Sequence, residues 1–131
     1  MPREPIKEWI THGIACKIAP GFKSLSGYVQ LPEELWKVDR IPRDIYVPNH
    51  GLNYGPDGDG WIGFDTLHAW DRWSIERIAP YISEDEVQVM RLEETILRGE
   101  KDRIEWTLEL MVEAVEALAL RVASYAITSR L

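Results

Sequence analysis

Residues 102–127 read Asp102-Arg103-Ile104-Glu105-Trp106-Thr107-Leu108-Glu109-Leu110-Met111-Val112-Glu113-Ala114-Val115-Glu116-Ala117-Leu118-Ala119-Leu120-Arg121-Val122-Ala123-Ser124-Tyr125-Ala126-Ile127. Ile104, Leu108, Met111, Val115, Leu118, Val122 and Tyr125 recur at 4-3-4-3-4-3 spacing. Side chains so spaced share one face of an α-helix, so the stretch predicts a long helix over about 102–127 with a continuous apolar seam. Trp106, Leu110 and Ala114 supply a second flank. Such a seam has two uses. It packs on the chain's own sheet, or part of it meets a second copy, giving a homodimer through the C-terminal helix.

Upstream, Ser83-Glu84-Asp85-Glu86 has the form of a capping box, with Ser83 as N-cap and Glu86 at the third helical position. It opens a second helix expected to run to about Arg98 and stop at Gly99. The first half has a different texture. Residues 1–66 hold seven of the eight Pro and eight of the nine Gly, with short apolar runs between them. Trp9–Ile18 places Ile10, His12, Ile14, Cys16 and Ile18 on one face of a strand. Pro20-Gly21 marks a turn, and Leu25–Leu31 reads as the next strand. Residues 32–36 read as a short helix opened by Pro32. Asp44–Val47 and Trp61–Phe64 read as strands, Asn53–Asp59 as a turn, and helix is expected from Asp65. The sum is one α+β domain over 1–131, strand-rich over 1–66 and helical over 83–131. Its small, mainly antiparallel sheet packs against two C-terminal helices.

Composition narrows the function. The chain has 131 residues and a net charge of −7, with its basic residues scattered among acids. That distribution argues against duplex DNA as a partner. No apolar run reaches the length of a membrane span, and no membrane partner is expected. The N-terminal stretch lacks the apolar core of a signal peptide. The single Cys16 excludes an internal disulfide and fits a reducing cytoplasm. Six Trp stand out, because indole rings fill cores and also wall binding sites for flat ligands.

Gly58-Asp59-Gly60-Trp61-Ile62-Gly63 matches a dinucleotide-binding fingerprint by letter, but it precedes a strand, and Asp57 and Asp59 repel phosphate. Asp57, Asp59 and Gly60 mimic a calcium loop that lacks its first carboxylate and its terminal Glu. A pairing of His12 with Cys16 on one strand face is set aside in favour of a core cysteine.

Asp65, His68 and Asp71 carry more chemistry. On a helix the three converge poorly. With Asp65 ending a strand, Asp65 and His68 meet at the corner. Three readings follow. Asp65 caps a helix; Asp65 and His68 form a ligand-binding or acid–base pair; or the three ligate a metal, completed by His50, His12 or water. The second is carried forward, with no metal or cofactor expected. Asn49-His50-Gly51-Leu52-Asn53-Tyr54 is a second polar cluster, read either as a turn or as a ligand edge. The candidate ligand-binding set is Asn49, His50, Asn53, Tyr54, Trp61, Asp65, His68, Trp70 and Asp71. Asp65 and His68 are the candidates for catalysis.

Three segments together carry a resemblance: Leu25-Ser26-Gly27-Tyr28-Val29-Gln30-Leu31-Pro32, Asn49-His50-Gly51-Leu52-Asn53-Tyr54, and Gly63-Phe64-Asp65-Thr66-Leu67-His68-Ala69-Trp70-Asp71. In this order they resemble a family of small bacteriophage and prophage proteins. Its members carry Gly-Tyr-Val-x-x-Pro, Val-His-Gly-Gly-Leu-Thr-Tyr and Gly-Phe-Asp-x-x-His-x-x-Asp segments. Aligned on Leu52-Asn53-Tyr54, Asn49 stands where the family has His and His50 stands on a Gly; aligned on His50 instead, one Gly is lost. The resemblance implies a setting, the cytoplasm of an infected bacterium, rather than an activity. In that setting the expected function is binding of a small molecule, in particular sequestration of a host nucleotide-derived immune signal, NAD-derived or cyclic. The alternatives are a small hydrolase of a nucleotide-like substrate using Asp65 and His68, and a protein-binding inhibitor of a host factor.

Overall fold

The computed structural model describes residues 3–36, 52–68, 71–96 and 104–129. Four strands form one antiparallel sheet in the order β1 (Lys7–Thr11), β2 (Ile14–Pro20), β3 (Leu25–Gln30) and β4 (Trp61–Asp65). Trp9–Ile18 is therefore two strands and not one. His12 and Gly13 both have positive φ, +53° and +73°, and this pair makes the two-residue hairpin between β1 and β2. His12 sits in that turn while Cys16 faces the core at 2% exposure, so the two do not share a strand face.

The long helix α3 (Leu108–Ser129) lies across β2 and β3. Met111, Val115, Leu118 and Val122 of the seam are fully buried against Ile18, Leu25, Val29, Ile62 and Phe64. Removing each such side chain from water contributes about 1.5–3 kcal/mol. The seam is thus spent on the chain's own sheet. Gly27 permits the close approach, since a Cβ there would lie 2.5 Å from Val115 Cγ2.

Two expected helical segments are extended instead. Asp71–Trp73 forms β5 and Ile104–Trp106 forms β6, paired in parallel with Asp71 opposite Ile104 and Trp73 opposite Trp106. The last helix starts six residues later than expected because Thr107 caps it. Thr107 Oγ1 accepts Leu110 N–H at 3.1 Å, and Thr107 C=O accepts Met111 N–H at 3.0 Å. The helix expected from Asp65 begins only at α1 (Ile75–Ile78), capped by Ser74.

The capping box is present as expected. Glu86 N–H donates to Ser83 Oγ at 3.2 Å and opens α2 (Glu84–Ile96). The Glu86 carboxylate also accepts from Lys23 N–H at 2.7 Å and from the Arg3 guanidinium. It thereby ties the N-terminal arm, the β2–β3 turn and α2 together, and these donors hold its carboxyl down at about 2 against the cost of burial. The expected strand at 44–47, and the end of the second helix beyond Ile96, lie outside the described residues.

Candidate functional site

The site begins where β4 ends. Asp65 is the last residue of β4, and its Oδ1 accepts Leu67 N–H at 3.4 Å as the chain turns. Asp65 therefore shapes a turn and caps no helix. The chain re-enters extended structure at Asp71, and residues 68 and 71 clasp each other. Asp71 N–H donates to His68 C=O at 2.9 Å, and Asp71 Oδ2 accepts His68 N–H at 2.9 Å. The same Oδ2 lies 2.9 Å from His68 Nδ1.

The Asp71 side chain is 1% exposed, so its carboxylate needs further partners. Oδ1 accepts the Trp106 indole N–H at 2.8 Å. Trp73, stacked on Trp106 with ring centroids 6.4 Å apart, donates its own N–H to Thr66 Oγ1 at 2.8 Å. Thr66 Oγ1–H in turn donates to Leu25 C=O at 2.7 Å, in the central sheet. Two indole N–H groups therefore fix Thr66 and Asp71 to buried structure.

This geometry orients the imidazole. Asp71 Oδ2 accepts His68 N–H and also faces Nδ1, so Nδ1 is assigned as the donor nitrogen of the ring. Asp65 Oδ1 stands 3.7 Å from Nδ1, within ion-pair range but outside hydrogen-bond range. His68 is 27% exposed and Asp65 41%. The result is a histidine held by a buried carboxylate and flanked by an accessible one. Such a pair recognises ligand hydroxyls and moves protons.

The sheet face turned away from α3 extends the site. Cross-strand register sets Lys17 beside Tyr28 and Tyr28 beside Gly63, with Ser26 opposite Asp65 and Gln30 opposite Trp61. Tyr54 bridges to Gly63, and its ring meets Tyr28 edge-on at 5.3 Å. Gly63 is required here, because a Cβ would fall 2.4 Å from Tyr28 Cδ1. Burial, and then the Asp65 charge, push the Tyr28 phenol above its ordinary value, and the neighbouring Ser26 hydroxyl acts the other way. Asp57 shapes the rim. It accepts Tyr54 Oη–H at 2.8 Å, Asp59 N–H at 2.9 Å and Trp61 N–H at 3.0 Å. The Asp57–Gly60 turn therefore binds its own chain with the carboxylate that a calcium loop would offer to metal.

Of the residues proposed from sequence, Tyr54, Trp61 and Asp65 share this face, and His68 and Asp71 follow from Asp65. Asn53 stands apart: it is exposed, and its backbone N–H bonds Gly63 C=O at 3.0 Å. Asn49, His50 and Trp70 lie outside the described residues. The sequence reading missed Trp106, Tyr28 and Lys17. The strand spacing of Lys17 and Tyr28 was visible, but the pairing that joins them to Gly63 is not local. Among the described residues no group of three His, Cys, Asp or Glu side chains is placed to hold a metal ion. No described helix is long and apolar enough to cross a membrane. Comparison with protein-family models, curated proteins and solved structures gives no match.

Proposed function

We propose that this chain binds a small molecule at the His68 site. The supporting observation is the fixed imidazole: Nδ1 lies 2.9 Å from a carboxylate that is itself held by Trp106. A preset imidazole beside an accessible Asp65, on a sheet face that also carries the rings of Tyr54 and Trp61, suits a ligand with sugar-like hydroxyls and a flat ring. The carboxylates at the site disfavour a polyphosphate. With the phage setting that the sequence resemblance implies, the ligand class is a host nucleotide-derived signal, NAD-derived or cyclic. The action on it is sequestration in the bacterial cytoplasm.

The test is depletion with recovery. Purified protein is incubated with a panel of NAD-derived and cyclic nucleotides and filtered, and the filtrate is quantified by mass spectrometry. The retained protein is then heated and its released contents measured. A compound that disappears and returns intact supports sequestration. One that returns as product supports the second reading, an acid–base hydrolase, which the Asp71–His68 contact favours. If no compound is depleted, the nucleotide class is excluded.

A further inference from the structure

A cleft opens at the end of the central sheet away from Asp65, where the pairing of β2 with β3 stops. β2 begins at Ile14, but it pairs with β3 only from Cys16, opposite Val29. Ile14 and Ala15 pair with β1 alone, opposite Thr11 and Ile10. After β3 the chain turns at Pro32 into one 3₁₀ turn, Glu33–Leu35. The cleft measures about 470 Å³, a size that suits a small ligand. Its walls are the β1–β2 hairpin, residues 30–33 with Trp36, and Ala123, Ala126 and Ile127 near the end of α3. Gln30 lines it, and Ser26 stands opposite Asp65, so the cleft lies four residues along β3 from the His68 site, about 13 Å.

Small side chains keep it open. Ala15, Ala123 and Ala126 stand where a closed core would carry larger residues. Ile14 and Leu31 are buried at its base, while Ile10 and Ile127 are 74% and 64% exposed. Trp36 is a fixed wall. Its indole N–H donates to Leu31 C=O at 2.6 Å, and a Cβ on Gly60 would fall 2.2 Å from its Cδ1. Trp36 therefore offers a ligand its ring and no donor.

The remaining polar groups are mostly acceptors. Gln30 gives its amide N–H to Asp59 C=O at 2.8 Å, which leaves the side-chain oxygen to accept. Glu33 is exposed, and among the described residues its carboxylate has no ion pair and no hydrogen bond. His12 adds an imidazole. Glu33 is the only carboxylate of the lining, and neither Lys nor Arg belongs to it.

We infer that this cleft binds a small organic cation, an ammonium carried on an apolar body. The ammonium docks on the Glu33 carboxylate and the Gln30 oxygen against the Trp36 ring, and the body lies on Ile10, Leu31 and Ile127. An anionic ligand meets Glu33 with no cationic side chain to answer it. The net charge of −7 favours a cation at longer range as well. This site is separate from the one proposed above and does not rest on it.

The experiment titrates the full chain with phenethylamine, 2-phenylethanol and 3-phenylpropanoate, matched in ring and length, at up to about 10 mM. NMR follows the Ile10 and Ile127 methyls and the Trp36 indole N–H. The amine is expected to shift these signals and to bind at least about tenfold tighter than the alcohol, with the acid weakest. Glu33→Gln, at an exposed position, is expected to bring the amine down to the affinity of the alcohol. Ala123→Leu, which fills the cleft from a half-buried position on α3, is expected to weaken all the probes, with circular dichroism to check that it folds. Equal affinity for amine and alcohol overturns the inference, as does an amine preference that survives in Glu33→Gln. No shift at Ile10 and Ile127 overturns it too. So does a doubled mass in sedimentation with the same methyls shifting as protein concentration rises, because a second copy then covers the cleft.

Discussion

Asp71 Oδ1 accepts the Trp106 indole N–H at 2.8 Å across 35 residues of sequence. The contact joins the turn after β4 to the strand before α3, and through Oδ2 it sets the ring of His68. The candidate site is therefore coupled to the packing of the last helix. A change at either end should be felt at the imidazole.

Trp106→Phe keeps the stacked ring but removes the donor to a buried carboxylate. It is expected to cost about 1–3 kcal/mol in urea unfolding. It should also change the His68 ring-nitrogen signals in long-range proton–nitrogen spectra. Unchanged spectra alongside lost stability would mean that the bond is structural only.

The Glu86 carboxyl is held at about 2, well below the 4.5 of an ordinary glutamate, by its Arg3, Lys23 and Ser83 donors. A carboxyl with a depressed folded-state pKa contributes stability that is fully present above its unfolded value and is lost as pH falls through the folded value. Melting temperature should therefore drop between about pH 4.5 and pH 2. Glu86→Gln should be less stable at neutral pH and show a flatter profile in that window, measured by thermal unfolding followed by circular dichroism.

The apolar seam is tested by a contrast on one helix. Leu118 is fully buried and Leu120 is 49% exposed. Leu118→Ala is expected to cost about 2–5 kcal/mol. Leu120→Ala should stay within about 0.5 kcal/mol. Chemical denaturation measures both, and equal costs would contradict the placement of α3 on the sheet.

Gly27→Ala inserts a methyl 2.5 Å from Val115 Cγ2 and 2.9 Å from Phe64 Cζ. Overpacking of this kind is expected to cost about 1–3 kcal/mol. Gly58→Ala, where a Cβ meets nothing within 4 Å, serves as the control in the same unfolding assay.

The parts that were legible in the sequence are those whose chemistry is local. The Ser83–Glu86 box and the buried face of α3 depend on neighbours three or four residues away, so periodicity and capping rules reach them. The corner of Asp65 with His68 was legible for the same reason. The hairpin at His12-Gly13 was not, because alternation runs on through a turn whose positive φ values leave the apolar pattern intact. Residues 104–106 were read as the first turn of a helix because Ile104 fits the seam. Thr107 as a cap and the pairing with Asp71–Trp73 override that pattern. Trp106 looked like a helix flank. Its role depends on Asp71 being brought beside it, and no spacing rule reports that. The place of Lys17 beside Tyr28 likewise follows only from strand register.

The central claim is that His68, oriented by Asp71, is the heart of a small-molecule site. Depletion of the nucleotide panel by the wild-type chain, beside a folded His68→Ala variant, tests it most directly. The account predicts that wild type removes a compound and releases it intact on heating, and that His68→Ala loses that capture by at least about tenfold. Equal capture by the two proteins would contradict the claim.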